Sequence, residues 1–245
     1  MFGLCADEGL ILSAPFYRTE ERWELLRRDW DSWAPLILFG RERDLTRERD
    51  REVVRDIGQF YYGAQTDISS LDSEENTLSQ LTRMYSMSYF FSPAHHDSRL
   101  LAQAGLQVHS FILDHPPAFS LMDLFRLDMK QLVWMFSARS MGYNPYPQVY
   151  GTCHGDDLAY LFPVDPYGFP PPVVTEDQKK VQQNLLDVVT TFAIAGVAQC
   201  SAGWLPVTVW SQQQCGPLSL VEIQRGSAVI GRELHSVASP VSLMP

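Results

Sequence analysis

A histidine with two acidic neighbours is the part of this sequence whose residue types could do chemistry. His154 is followed by Gly155 and by the carboxylates of Asp156 and Asp157, just before the apolar residues 158–162. Imidazole titrates near neutral pH, so a histidine beside carboxylates can act as a general base. A loop histidine of this kind is more often an ordinary turn residue, and the spacing alone leaves both interpretations open.

Two segments of the chain resemble one family. Residues 149–162, Val-Tyr-Gly-Thr-Cys-His-Gly-Asp-Asp-Leu-Ala-Tyr-Leu-Phe, closely resemble the histidine segment of type-B carboxylesterases, the cholinesterase-like branch of the α/β-hydrolases. Near the start, Gly3 is followed five residues later by the pair Glu8-Gly9, which resembles the acid loop of that family. The resemblance implies a Ser-Glu-His triad with His154 as the general base and Glu8 as the acid. Their order along the chain is the one that α/β-hydrolases use.

The resemblance also implies a fold. It extends from residue 3 to about residue 225 and corresponds to the C-terminal part of a family member, somewhat under half of its length. We therefore expect an α/β chain, the C-terminal part of an α/β-hydrolase fold, mostly helical with few strands of an incomplete central sheet. The predicted organisation is a partial carboxylesterase domain at 1–225 and a loose C-terminal tail at 226–245.

The nucleophile of the implied triad has no counterpart in the sequence. Neither a Gly-x-Ser-x-Gly elbow nor a His-Gly-Gly-Gly run occurs in the 245 residues. The nearest match, Gln-Cys-Ser-Ala-Gly at 199–203, has glutamine in place of the first glycine and follows a predicted helix, so we interpret Ser201 as a loop serine. Without a nucleophile and an oxyanion hole, the sequence predicts a fragment of a carboxylic ester hydrolase that is inactive as given.

Two other interpretations remain open. One is a non-catalytic cholinesterase-like adhesion or interaction protein, a use of this fold among relatives that lack the serine. The other is a pseudogene product with no stable fold. Whether the chain is an enzyme, and whether Met1 is the true start, are questions that the sequence leaves open.

No cofactor and no metal are predicted. His95 and His96 are adjacent, and neighbouring side chains on a helix diverge by about 100°, so they are poor co-ligands for a metal. The four cysteines are too scattered for a disulfide framework: Cys5, Cys153, Cys200 and Cys215. Cys200 and Cys215 could pair across a short loop, or both could remain free thiols.

Composition limits the class of partner. The net charge of −10 disfavours nucleic acid and anionic membranes as partners, whereas 45% hydrophobic residues suffice for a packed core. No secretory signal and no spanning stretch are visible, and relatives often enter the secretory pathway, so the location stays open. The expected partner is a small-molecule carboxylic ester, if the missing half is supplied. Helices with little sheet to cover also predict association through exposed apolar faces.

Periodicity and capping signals predict the elements that position the two loops. Residues 1–14 are predicted to be a strand end that runs into the acid loop and stops at Pro15. The predicted helices are one with Trp23, Leu26, Trp30 and Trp33 on one face, one over 46–62, one from Asp72 to about 90, one from Ser92 to Gly105, and one from the capping box at Thr175 to Gly196. Strands are predicted over 107–113 and 218–223, and a short helix or loop over 120–136.

Several further positions near the site carry expectations. Ser92 is predicted as a helix N-cap, with Pro93 at the first helical position. At Ser86-Met87 relatives usually have Ser-Asp, so the aspartate that supports the fold near the active site is absent here. Asp156 is expected to face solvent, whereas Asp157, which matches an acidic position of the family, is expected to be structural.

Overall fold

The computed structural model describes residues 1–18, parts of 21–34, 48–62, 74–141, 150–162 and 173–196, and the backbone of two strands at 219–223 and 229–233. Its four strands form one sheet in the order β1-β2-β3-β4. Their bounds are Phe2–Cys5 for β1, Ser110–Leu113 for β2, Ser219–Ile223 for β3 and Val229–Glu233 for β4. The first three strands run parallel, and β4 pairs antiparallel with β3.

Helices make up most of the described chain. Their bounds are Leu10–Ser13 for α1, Glu48–Tyr62 for α2, Glu74–Tyr85 for α3, Ser92–Gln103 for α4, Met122–Arg126 for α5, Met129–Ser140 for α6, Asp156–Leu161 for α7 and Glu176–Ala195 for α8. A 3-10 helix at Ala14–Arg18 follows α1, and a π-helix at Ser86–Phe91 joins α3 to α4. The predicted α/β class, mostly helical with few strands, is confirmed.

The parallel pair β1 and β2 determines where the site lies. Cys5 is in register with Leu113, so both strands end at the same edge of the sheet. Open α/β sheets place their ligand sites outside the carboxyl ends of parallel strands. The acid loop leaves β1 at this edge, and the Ala6 amide still donates to the Leu113 carbonyl at 2.9 Å.

Two of the four hydrophobic cores formed by the described residues pack the main helices. One packs α2 against α3 through Ile57, Tyr62, Leu78 and Leu81, together with the buried Trp30. The other covers β1 and β2 with α7 and α8, and its fully buried members are Cys5, Leu113, Tyr160, Leu185 and Val188. Burying a large apolar side chain contributes about 1.5–3 kcal/mol, so the second core fixes the strand ends under the loops.

Helix α8 forms as its sequence predicts. Thr175 accepts a hydrogen bond from the Gln178 amide at 3.2 Å, and the Gln178 side chain accepts from the Thr175 amide at 3.0 Å, which completes a capping box. At the other end Gly196 adopts the left-handed conformation that closes the helix, with a φ of 69°. Val181, Leu185 and Val188 are buried as the periodicity indicates.

Two predictions about helix boundaries are wrong. Pro15 does not end regular structure, because it lies inside the 3-10 helix, where its fixed φ is compatible with the backbone. Ser92 is not a free N-cap: its own φ and ψ are −64° and −46°, and α3, the π-helix and α4 form one continuous rod. Pro93 has no amide hydrogen to donate to a preceding carbonyl, so it fits directly after the π turn, in which Ser92 N bonds to Met87 O.

Other elements differ in extent. Strand β2 covers 110–113 and not the whole predicted range of 107–113. The segment 120–136, predicted as a short helix or loop, forms α5 and most of α6. Strand β4 lies in the segment predicted to lack regular structure, and this segment becomes a strand by pairing with β3. The domain limits 1–225 and 226–245 stay a prediction.

Several predicted features lie outside the described residues: Trp23, Leu26, the start of α2 at Thr46, the Asp72 cap, Ser201, Cys200 and Cys215. None of the helices in the described part of the chain is long and apolar enough to cross a membrane.

Candidate active site

The acid loop and the histidine loop are joined by backbone and side-chain hydrogen bonds. The Asp7 amide donates to the Thr152 carbonyl at 3.0 Å, and the Thr152 amide donates back to Asp7 Oδ2 at 3.1 Å. Gly151 makes this contact possible: its φ is +147°, and a Cβ there would lie 2.2 Å from Asp7 Oδ2. The two loops, more than a hundred residues apart in sequence, therefore share one local structure.

Glu8 is fixed by its own strand. Its side chain is buried, and Oε1 accepts a hydrogen bond from the Cys5 amide at 2.7 Å, the last amide of β1. The next residue is packed directly on a helix, since a Cβ on Gly9 would lie 2.2 Å from the Thr82 carbonyl oxygen. The Gly9 amide donates to Ser86 Oγ at 2.8 Å. These contacts leave Oε2 of Glu8 directed toward the histidine loop.

The structure brings Glu8 and His154 together. His154 Nδ1 lies 2.5 Å from Glu8 Oε2, and the histidine side chain is 49% exposed while that of the glutamate is 4% exposed. A carboxylate on Nδ1 selects the imidazole tautomer whose Nε2 can accept a proton. Burial raises the pKa of Glu8, and hydrogen bonds from Cys5 and His154 offset part of that rise. The pair is thus a buried acid that orients an accessible base.

The face of the imidazole is in contact with an aromatic ring. Phe90, on the π-helix, has its ring centroid 4.9 Å from that of His154, with an angle of 40° between the planes. Aromatic rings at this separation attract each other by about 0.5–1.5 kcal/mol beyond their burial. His154 is therefore held at Nδ1 and on one ring face.

The expectation that Asp156 faces solvent is wrong. This residue is fully buried, and its two oxygens accept hydrogen bonds from Cys153 N at 2.8 Å, Leu121 N at 2.9 Å and Ser120 Oγ at 2.8 Å. Burial raises its pKa to about 7, and the three donors offset only part of that rise. Asp156 ties the histidine loop to the residues that begin α5. Unsatisfied backbone amides are costly when buried, which explains a carboxylate at this position.

The two cysteines near the pair do not have the properties of nucleophiles. Cys5 and Cys153 are both free and buried. Burial raises the pKa of each thiol, with nearby carboxylates adding to the effect. A thiolate is the reactive form, so a raised pKa makes both thiols inert near neutral pH. The Cys5 thiol lies 3.9 Å from Asp157 Oδ1, a contact consistent with the structural role expected for Asp157.

His95 and His96 lie next to each other on α4. His95 is partly buried on α4, and burial with the neighbouring Arg99 and His96 lowers its pKa. In the part of the chain that the structure describes, no three His, Cys, Asp or Glu side chains are placed to hold a metal ion.

Sequence reasoning missed three contributors to the site. Asp7 contacts the histidine loop, and Phe90 contacts His154. Ser86 accepts a hydrogen bond from the amide of Gly9, the residue after Glu8. The position of Gly9 directly after Glu8 was a usable signal, because a glycine indicates close approach of two backbones. No spacing signal distinguishes Phe90 from the neighbouring aromatic residues Tyr89 and Phe91.

A parallel sheet with a paired acid and histidine at its carboxyl edge defines the class of α/β-hydrolase-like chains. Comparison with known proteins identifies the family: the model of the carboxylesterase family matches residues 1–230, and the chain belongs to that family. A protein of Bombus ignitus named carboxylic ester hydrolase is 25% identical over 194 residues, which are 79% of this chain. The chain spans 30% of the length of that relative.

Proposed function

We propose that Glu8 and His154 are the acid and the general base of a Ser-Glu-His triad in a carboxylic ester hydrolase. The serine would be supplied by a segment that this sequence does not contain, and the chain as given would be inactive on esters. The observation that carries the proposal is the 2.5 Å contact between His154 Nδ1 and Glu8 Oε2, made across two loops that are distant in sequence. Membership of the carboxylesterase family supports ester hydrolysis as the reaction.

The proposed chemistry follows from the geometry of the pair. Nε2 of His154 takes the proton of the serine hydroxyl as its oxygen attacks the ester carbonyl, and then donates that proton to the leaving alcohol. In the second half-reaction water attacks the acyl-serine, and Nε2 takes a proton from that water and donates it to the serine oxygen. Glu8 holds the reactive tautomer and stabilises the imidazolium cation during both steps. The tetrahedral intermediates of both steps need hydrogen-bond donors to their oxyanion, and these donors would also come from outside this sequence.

Nearby hydroxyl and thiol groups do not replace the missing serine in this proposal. Ser86 lies next to the acid loop, but it is buried and its hydroxyl donates to the Thr82 carbonyl at 2.9 Å. The Cys153 thiol is fully buried. Neither group is an accessible nucleophile, and the sequence contains no Gly-x-Ser-x-Gly elbow, so the nucleophile would come from a residue outside this sequence.

The substrate class that the proposal assigns is a small-molecule carboxylic ester. The curated relative carries the name carboxylic ester hydrolase, and the exposed face of His154 is compatible with a reacting group beside it. The chain would also associate with another segment or protein through the exposed apolar face of α6. On this face Met129, Val133 and Trp134 are 73%, 59% and 53% exposed. Apolar surface of this kind marks a contact with another part or another protein.

The test begins with the transcript upstream of the Met1 codon. We expect an in-frame extension that encodes a Gly-x-Ser-x-Gly elbow, and we expect the longer protein to hydrolyse p-nitrophenyl butyrate. The 245-residue chain, purified in parallel, should release no p-nitrophenol above the buffer rate. An extension whose elbow serine is replaced would instead point to a non-catalytic adhesion protein. Hydrolysis by the 245-residue chain itself would contradict the proposed need for an outside serine.

A further inference from the structure

The π-helix at Ser86–Phe91 is the one interruption in the rod formed by α3 and α4. Its wider turn is defined by the bond from Ser92 N to Met87 O, five residues back. A π turn adds a residue to a helix and weakens its backbone bonding, and such turns occur frequently at functional sites. The six residues Ser-Met-Ser-Tyr-Phe-Phe contain no proline or glycine, but Pro93 follows directly after Ser92 and has no amide hydrogen to donate to a preceding carbonyl, which favours a break in the α-helical bonding here. The contacts of the turn show which loops it touches.

Two residues of the π-helix contact the catalytic loops, one on each side of the Glu8–His154 pair. Ser86 Oγ accepts a hydrogen bond from the Gly9 amide at 2.8 Å, which fixes the residue that follows Glu8. Phe90 places its ring 4.9 Å from the ring of His154. The same short helix thus touches both the acid loop and the base.

A single hydrogen bond, from Nδ1 to Glu8, does not fix the orientation of the His154 ring. Nδ1 is held by Glu8 Oε2, but the side chain is 49% exposed and could rotate about that contact. A ring packed on the imidazole face limits this rotation, and an aromatic face also attracts the imidazolium cation that forms when Nε2 takes a proton. Phe90 supplies that face, and it is itself only partly buried.

We propose that Phe90 is a positioning residue, which holds the His154 imidazole in the orientation required for its hydrogen bond to Glu8. The π turn places the Phe90 ring against the imidazole while Ser86 stays hydrogen-bonded to the Gly9 amide. This inference rests on the proposed role of His154 as the general base. It adds to that role a residue that neither accepts nor donates a proton.

The experiment measures the Nδ1 proton of His154 by NMR in the 245-residue chain labelled with 15N-histidine. Six histidines are present, and His154→Gln assigns the resonance by removing it. A short bond to a carboxylate gives a far-downfield proton that exchanges slowly with water, and Glu8→Gln should abolish it. We expect Phe90→Leu to raise the exchange rate on the order of tenfold, which corresponds to about 1.4 kcal/mol of lost ring contact. Phe90→Tyr should restore slow exchange.

Phe60→Leu is the matched control. Phe60, on α2, makes an edge-to-face contact with Tyr61 with ring centroids also 4.9 Å apart, and its loss should leave the His154 proton unchanged. Slow exchange that persists in Phe90→Leu would overturn the proposal. Loss of the helical circular dichroism in that variant would also overturn it, since Phe90 would then support the helix and not the imidazole. The resonance reports geometry and not turnover, so it is independent of whether the longer protein hydrolyses an ester.

Discussion

The loops that carry Glu8 and His154 are closed by hydrogen bonds among themselves, whereas α6 exposes apolar side chains to solvent. In the loops, Asp7 and Asp156 together make bonds to four backbone or side-chain donors, and both loops pack on Leu10 and Cys153. Polar bonds therefore hold the two loops to each other and to the residues just before α5.

Helix α6 presents the opposite case. Leu132 and Met135 are buried in a small core with Phe119 and Leu127, but Val133 and Trp134 on the other side are more than half exposed. A helix that is apolar on both sides is typical of a position between two layers. The comparison teaches that polar bonds hold Glu8 and His154 locally, while one apolar side of α6 is exposed among the described residues.

The largest effect on the closed region should come from removing the Asp156 carboxylate. Asp156→Ala leaves the buried amides of Cys153 and Leu121 without their acceptor, which should cost about 3 kcal/mol of the free energy of unfolding. Urea denaturation of the 245-residue chain measures it. Asp97→Ala, on the exposed side of α4, is the matched control and should change little. Equal losses in both variants would refute the buried network.

A methyl group at Gly151 should have the next largest effect. Gly151→Ala combines a positive φ with a clash against Asp7 Oδ2, and we expect a loss of about 2 kcal/mol. Gly105→Ala isolates the backbone contribution, because Gly105 also has a positive φ of 84° but nothing within 4 Å of its added Cβ. That control should lose about 1 kcal/mol. If the two losses are the same, the loops do not depend on this close contact.

The raised pKa values of the buried carboxyls predict the direction of the pH dependence. Asp156, with a pKa of about 7, and Glu8, whose pKa is also raised, bind more protons in the folded than in the unfolded state. Their contribution to stability is present below the unfolded pKa and is lost as pH rises through the folded pKa. Thermal unfolding at pH 5 and pH 7.5 should therefore give the higher midpoint at pH 5. Asp156→Asn cannot titrate, so a slope as steep as that of the unchanged chain would contradict this assignment.

Charging the open face should have the smallest effect on stability. We expect the double variant Val133→Lys, Trp134→Lys to change the free energy of unfolding by less than about 0.5 kcal/mol, because both side chains are exposed. Sedimentation velocity should show less association than for the unchanged chain. Ser137→Lys, which adds charge at an exposed polar position of the same helix, is the control. If the double variant associates as strongly as the unchanged chain, α6 is not the contact surface.

Local signals in the sequence predicted the fold where they were strong. The capping box at Thr175, the periodicity of α8 and the strand at 219–223 all form as expected. The resemblance to the carboxylesterase family was confirmed and also pointed to the two residues that now lie in contact. Their catalytic role remains a prediction.

The sequence failed where tertiary contacts decide the outcome. The burial of Asp156 depends on donors from Ser120 and Leu121, which spacing does not reveal. Phe90 contacts His154 from within the π turn, and no spacing in the sequence signals that contact. Strand β4 owes its order to pairing with β3, a contact that a pattern search along one segment cannot detect.

The most direct test of the central claim is ester hydrolysis by the longer protein carrying His154→Gln or Glu8→Gln. We expect kcat to fall by about a million-fold for His154→Gln and about ten-thousand-fold for Glu8→Gln, since the amide selects the wrong imidazole tautomer. His96→Gln, at an exposed position on α4, should retain full activity. If His154→Gln keeps more than about a tenth of the activity, the Glu8–His154 pair is not the acid and base of the reaction.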